Sequence, residues 1–139
     1  MTALFIIDCS IAMAWCFGDE ATPKTAALLD RLDDDSAVVP AHWFLEVVNV
    51  LAMAEKRKRI SAAHSSAFLS MLRTLDITLD AETAVKAFDQ LLPLCRKHGL
   101  TSYDAAYLEL ALRRHLPLAS LDAQLRTAAK QLGVELLGK

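Results

Sequence analysis

The stretch Ala3-Leu4-Phe5-Ile6-Ile7-Asp8-Cys9-Ser10 constrains this chain most: an unbroken apolar run that stops at a carboxylate followed by a small hydroxyl residue. Such a run reads as a strand covered on both faces, the state of strands in a parallel sheet with helices packed above and below. Ligands of such sheets bind outside the carboxyl ends of the strands. Asp8 therefore falls at a binding rim, and the remaining sequence can be searched for acids that reach the same edge.

The 139 residues suffice for one domain with a real core, so a single domain over 1–139 is expected. Apolar residues make up 54% against four Gly and four Pro, which leaves no room for a long linker or disordered tail. The run at Ala3–Ile7 is too short to span a membrane, and neither a basic segment nor a small-residue cleavage site surrounds it. A cytoplasmic protein without membrane contact is expected. Cys9, Cys16 and Cys95 are odd in number and lack Cys-x-x-Cys spacing, which points to buried or half-buried thiols rather than a disulfide framework or zinc knot. The net charge of −2 argues against a protein that coats nucleic acid through bulk positive charge. If four acids serve as metal ligands, however, the 15 basic residues face only 13 acidic ones. Net charge therefore decides little.

The chain alternates strands and helices. Ser10 is placed to cap a short helix through Trp15, broken at Gly18-Asp19-Glu20, and Pro23 opens a second helix from about Thr22 to Leu32. The run Asp33-Asp34-Asp35 reads as a solvated loop, because adjacent acids cannot converge on one ion. Ala37–Pro40 forms a second strand and His42–Arg57 a long helix that is apolar around most of its circumference, as for a helix in a core or an oligomer interface. Glu46 and Asn49 interrupt that surface and share one face. The run Lys56–Arg59 complements the macrodipole at the helix end and lies about 15 Å from Glu46, within reach of a distant phosphate only. Further expectations are a helix over Ser61–Leu72, a strand at Ile77–Leu79 and a helix over Ala81–Lys97 that Pro93 kinks or divides and His98-Gly99 terminates. Thr101 and Asp104 have capping-box spacing at the next helix. Asp104 shares its side with Tyr107, Leu108 and Ala111, with Glu109 and Arg113 opposite, so it reads as an acid on an inner face, where a cation is its natural partner. Leu116–Leu121 is a fourth strand that ends at Asp122 as the first ends at Asp8; a helix Ala123–Leu132, Gly133 and an edge strand Val134–Leu137 complete the chain.

Asp8 and Asp122 thus end strands, while Glu46 and Asp104 open helices, and in a parallel α/β sheet all four positions lie on the carboxyl edge. Each has a structural role available to it: a cap, or the start of a solvent stripe. Together they would repel unless protonated or bridged by cations. An oxygen-only set without His or Cys suits Mg²⁺ or Mn²⁺, which accept phosphate oxygens as further ligands and can activate water for attack on phosphorus. Ser10, Asn49, Thr101 and Ser120 are placed to orient those acids or hold water. No Ser-His-Asp arrangement, His-Glu-x-x-His helix or Gly-rich phosphate loop is present.

Asp8-Cys9-Ser10 with Trp15, Glu46-x-x-Asn49, Leu100-Thr101-x-Tyr103-Asp104-Ala105-Ala106-Tyr107 and Ser120-Leu121-Asp122 resemble the ordered motifs of PIN-domain ribonucleases, most closely VapC-type toxins of bacterial toxin–antitoxin pairs. The resemblance covers essentially the whole chain. It implies a three-layer α/β/α sandwich with a mainly parallel central sheet and Mg²⁺- or Mn²⁺-dependent endonucleolytic cleavage of RNA. It makes Asp8, Glu46, Asp104 and Asp122 the catalytic, metal-binding set. It also implies a homodimer held inactive by a VapB-type antitoxin whose C-terminal segment wraps it. Cys9 stands where Ala or Thr is common, Ser120 where Thr is frequent, and Gln124 where some relatives carry a further acid, which bears on a second metal. The alternative is a catalytically inactive PIN-like binding module acting through a protein partner. A phosphoacceptor signalling domain would need an acidic pair after the first strand, and Asp8-Cys9 lacks it.

Overall fold

The computed structural model describes residues 3–139. Five strands, β1 (Phe5–Ile7), β2 (Ala37–Pro40), β3 (Ile77–Asp80), β4 (Leu118–Ala119) and β5 (Leu136–Leu137), form one sheet in the order β3-β2-β1-β4-β5. Every pairing is parallel. Parallel neighbours need a crossover, and helices supply it: α1 (Cys9–Cys16), α2 (Pro23–Arg31), α3 (His42–Lys56), α4 (Ala62–Leu72), α5 (Thr83–Lys86), α6 (Leu92–His98), α7 (Ser102–Arg114) and α8 (Ala123–Gln131). With α7 across β1, β2 and β4, and α1 packed on α2 and α3, the architecture is the expected three-layer α/β/α sandwich. Phe5, Ile6 and Ile7 are completely buried, as a strand covered on both faces requires. Among the described residues no helix is long and apolar enough to cross a membrane.

The strand order carries the functional information. From β1 the chain steps outward to β2 and β3, then returns to the other side of β1 with β4 and β5. Between β1 and β4 the winding therefore reverses, and the crevice at such a switch point is where parallel α/β sheets bind ligands. Asp8 follows β1 and Asp122 closely follows β4, so these two acids flank that crevice.

Several local expectations change. Asp8, not Ser10, caps α1: its backbone is extended at φ −90° and ψ 178°, and its side chain accepts the Ile11 amide. Ser10 already lies inside the helix, which frees its hydroxyl. The predicted helix over Ala81–Lys97 is three pieces, α5, a π-helical turn over Ala87–Leu91 and α6, with Pro93 in the first turn of α6. Proline removes one hydrogen bond and crowds the carbonyl of the preceding turn, and the wider π turn accommodates both. β4 is shorter than Leu116–Leu121, because Pro117 offers only its carbonyl, which accepts from Ile6 N at 2.9 Å. Gly99, at φ 66°, ends α6 in the left-handed conformation as expected. Cys9, Cys16 and Cys95 are free thiols, and Cys16 is buried.

Candidate active site

Asp8 is the best-fixed acid of the four. Ser10 Oγ donates to its Oδ1 and Ser120 Oγ to its Oδ2, each at 2.5 Å. Both serines are held in turn: Leu121 N donates to Ser10 Oγ at 2.9 Å and Asp122 N to Ser120 Oγ at 3.0 Å. The ends of β1 and β4, more than a hundred residues apart in the chain, are thus stitched together through one carboxylate. Asp8 is 4% exposed. Burial pushes its carboxyl up to about 6; the serine hydroxyls and the Ile11 amide oppose that rise, and the nearby Glu46 carboxylate adds to it.

Asp104 enters from the first turn of α7. Thr101 Oγ1 caps that helix by accepting Asp104 N at 3.2 Å, so the expected Thr cap forms. The reciprocal half of the box does not: among the described residues nothing donates to the Asp104 carboxylate. Desolvation pushes it up to about 6, reinforced by the charges of Asp122, Asp8 and Glu46 in that order. The fold therefore brings Asp104 within electrostatic reach of the other three acids.

Asp122 caps α8, its Oδ1 accepting Leu125 N at 2.8 Å, and is exposed. Glu46 lies one turn into α3. Tyr107 donates its hydroxyl to Glu46 Oε1 at 2.5 Å, and His42 Nε2 stands 3.7 Å from the same oxygen. Of the four residues expected to support the acids, Ser10 and Ser120 touch Asp8 and Thr101 caps α7. Asn49 is exposed and contacts none of the acids among the described residues. Tyr107 and His42 are the residues that sequence reasoning left unassigned. The available signal was spacing, since His42 is four residues before Glu46 and Tyr107 is three after Asp104 on the same side of α7.

Asp80 shows what acids in this protein do when a cation is at hand. At the end of β3 it accepts a two-pronged contact from Arg113, at 2.8 and 3.0 Å, which holds its carboxyl below the usual range. Among the described residues no Lys or Arg pairs with Asp8, Glu46, Asp104 or Asp122. These four carboxylates on the carboxyl edge thus repel one another uncompensated. Their hard oxygen donors suit a divalent cation such as Mg²⁺ or Mn²⁺. Among the described residues, however, no three His, Cys, Asp or Glu side chains stand grouped to ligate one ion.

The sheet order and its acid-lined switch point define a doubly wound parallel α/β protein with an anionic site at the carboxyl edge. Within that class the chain belongs to the PIN domain family, which it matches over residues 5–131. Its fold is similar to that of PAE2754 from Pyrobaculum aerophilum, with a TM-score of 0.71 and 21% identity over 98% of this chain and 92% of that one. It is also similar to VapBC2 from Rickettsia felis, solved bound to a DNA fragment from their promoter, with a TM-score of 0.65 and 9% identity over 96% of each chain. FitAcB from Neisseria gonorrhoeae gives a TM-score of 0.62 and 16% identity over 97% of each chain. The comparison with curated proteins gives no match.

Proposed function

We propose that this protein is a divalent-metal-dependent endoribonuclease that serves as the toxin of a toxin–antitoxin pair. The observation that carries the reading is the set of uncompensated carboxylates, Asp8, Glu46, Asp104 and Asp122, at the switch point of a PIN-family sheet. These four would hold the ion. A Mg²⁺ or Mn²⁺ ion bound there would supply an activated water and neutralise charge on the scissile phosphate. Ser10 and Ser120 fix both oxygens of Asp8, so that the deepest ligand cannot rotate away. Asp122 spends one oxygen on its helix cap and keeps the other for the site. Water adds to phosphorus and one bridging oxygen leaves the RNA strand with a proton.

The motif resemblance to VapC-type toxins and the fold neighbour VapBC2 support the toxin role and a VapB-type antitoxin as partner. An apolar face on α3, with Phe44, Leu45 and Val48 at 44%, 72% and 53% exposure, is the surface that a second copy or the antitoxin covers. The cytoplasm, where RNA and such a partner meet, is the proposed location.

Cleavage of a mixed RNA substrate in Mg²⁺ and in Mn²⁺, by wild type and by Asp104→Asn, tests the assignment. Activity in wild type alone supports it; equal activity in both proteins removes it. One observation favours the alternative of an inactive binding module: no three acids among the described residues stand grouped for one ion. That alternative expects no metal-dependent cleavage by either protein.

A further inference from the structure

Glu46 differs from the other acids in how it is held. Its Oε1 takes the Tyr107 hydroxyl at 2.5 Å and faces His42 Nε2 at 3.7 Å, while Oε2 has no partner among the described residues. The two supports are themselves fixed. Tyr107 is 1% exposed, inside α7, and the His42 ring meets its edge at 5.0 Å between centroids. His42 Nε2 also lies 3.0 Å from the Tyr103 carbonyl, so α3 and α7 are joined at the level of the site.

A buried tyrosine hydroxyl must find an acceptor, and many would serve. Here the acceptor is an acid of the catalytic rim, sixty-one residues away in sequence. We infer that Tyr107 is a positioning residue for Glu46: by donating to Oε1 it fixes the carboxylate rotamer and presents Oε2 alone to the cation. This rests on the proposed metal-dependent site. His42 packs on the pair from outside and limits the swing of Glu46. Groups that orient metal ligands in this way typically contribute about 10–100-fold to metal affinity.

The experiment measures Mn²⁺ binding to the whole protein by calorimetry, without RNA, for wild type, Tyr107→Phe, Glu46→Gln and the double variant. The expected result is a loss of about 10-fold in affinity for Tyr107→Phe, and no further loss when it is added to Glu46→Gln, since the phenol acts only through that carboxylate. A purely structural tyrosine would lower the thermal midpoint and leave Mn²⁺ affinity unchanged, or add its loss to that of Glu46→Gln; either result overturns the inference. Should Tyr107→Phe fail to fold, Tyr103→Phe leaves Tyr107 as the sole tyrosine. Titrating that protein with Mg²⁺ must then give a tyrosine difference band that vanishes with Glu46→Gln, and absence of the band overturns the inference. Absence of Mn²⁺ binding by wild type would instead overturn the metal site itself and the inference with it. Binding that is lost with Asp8→Asn but untouched by Tyr107→Phe would sink the inference alone.

Discussion

A carboxyl group as deeply buried as Asp8 is a load on the fold in the absence of a cation. In the unfolded chain it ionises around its ordinary value of 3.8, whereas in the folded protein it holds its proton up to about 6. Between those values the unfolded chain has already lost the proton that the native state keeps, so stability falls as pH rises through the window and stays low above it. For a group this buried the loss is on the order of 2 kcal/mol. Asp104 acts in the same direction with less weight, because it is only half-buried and solvent screens it. Metal-free protein should therefore melt higher at about pH 5 than at about pH 7. Asp8→Asn keeps an N-cap acceptor but replaces one of the two oxygens that accept the serine hydroxyls by an amide donor, so at neutral pH it should gain less than that, flatten most of the slope and abolish cleavage. Thermal scans across pH on both proteins read the first two outcomes, and the RNA assay the third. An unchanged slope in the variant would show that Asp8 is not the titrating group.

Helices show the same economy of acids on a larger scale, since the residues that start α1 and α8 also face the switch point. Asp122 separates the two duties cleanly. Asp122→Asn retains an acceptor for the Leu125 amide and should lose cleavage with little change in stability. Asp122→Ala loses the cap as well and should cost about 1 kcal/mol in urea unfolding. α7 carries a second burden away from the site. Glu109 and Arg113 do lie opposite Asp104, yet that side is also covered: Arg113 bridges Glu109, Asp80 and Glu82, and Glu109 is only 6% exposed. Removing the guanidinium with Arg113→Ala leaves the buried Glu109 carboxylate unpaired and Asp80 with only the longer Arg114 contact at 3.8 Å, and should destabilise by about 3 kcal/mol. Arg113→Lys should recover only part of that loss, since an ammonium cannot make the forked contact with Asp80. Denaturant midpoints of the three proteins provide the comparison.

For the molecule as a whole, the acid rim predicts linkage between cation and fold. A ligand that binds only the native state stabilises it by about 2.7 kcal/mol at a hundredfold excess over its dissociation constant. Mg²⁺ or Mn²⁺ should therefore raise the melting temperature of wild type by several degrees and leave Asp104→Asn nearly unmoved. The apolar face of α3 makes a separate prediction. Leu45→Glu, at a position 72% exposed, should leave the fold intact and reduce self-association or antitoxin capture in sedimentation velocity.

The sequence by itself was enough for the local grammar of this protein. The apolar run of β1, Pro23 behind Thr22, Thr101 as a cap, Gly99 after α6 and the placement of acids at strand ends all depend on neighbours within a turn or two, and periodicity and capping chemistry report such neighbours directly. Which of those groups meet is set by the three-dimensional packing. Ser120 on Asp8, Tyr107 on Glu46 and Arg113 on Asp80 join residues 112, 61 and 33 positions apart. These contacts follow from the winding of the sheet and the angle at which α7 crosses it, and neither quantity is written in any short window of the chain. Burial behaves likewise. A helix with charges on one side reads as half-solvated until another strand end arrives to cover it, as β3 does over Glu109 and Arg113.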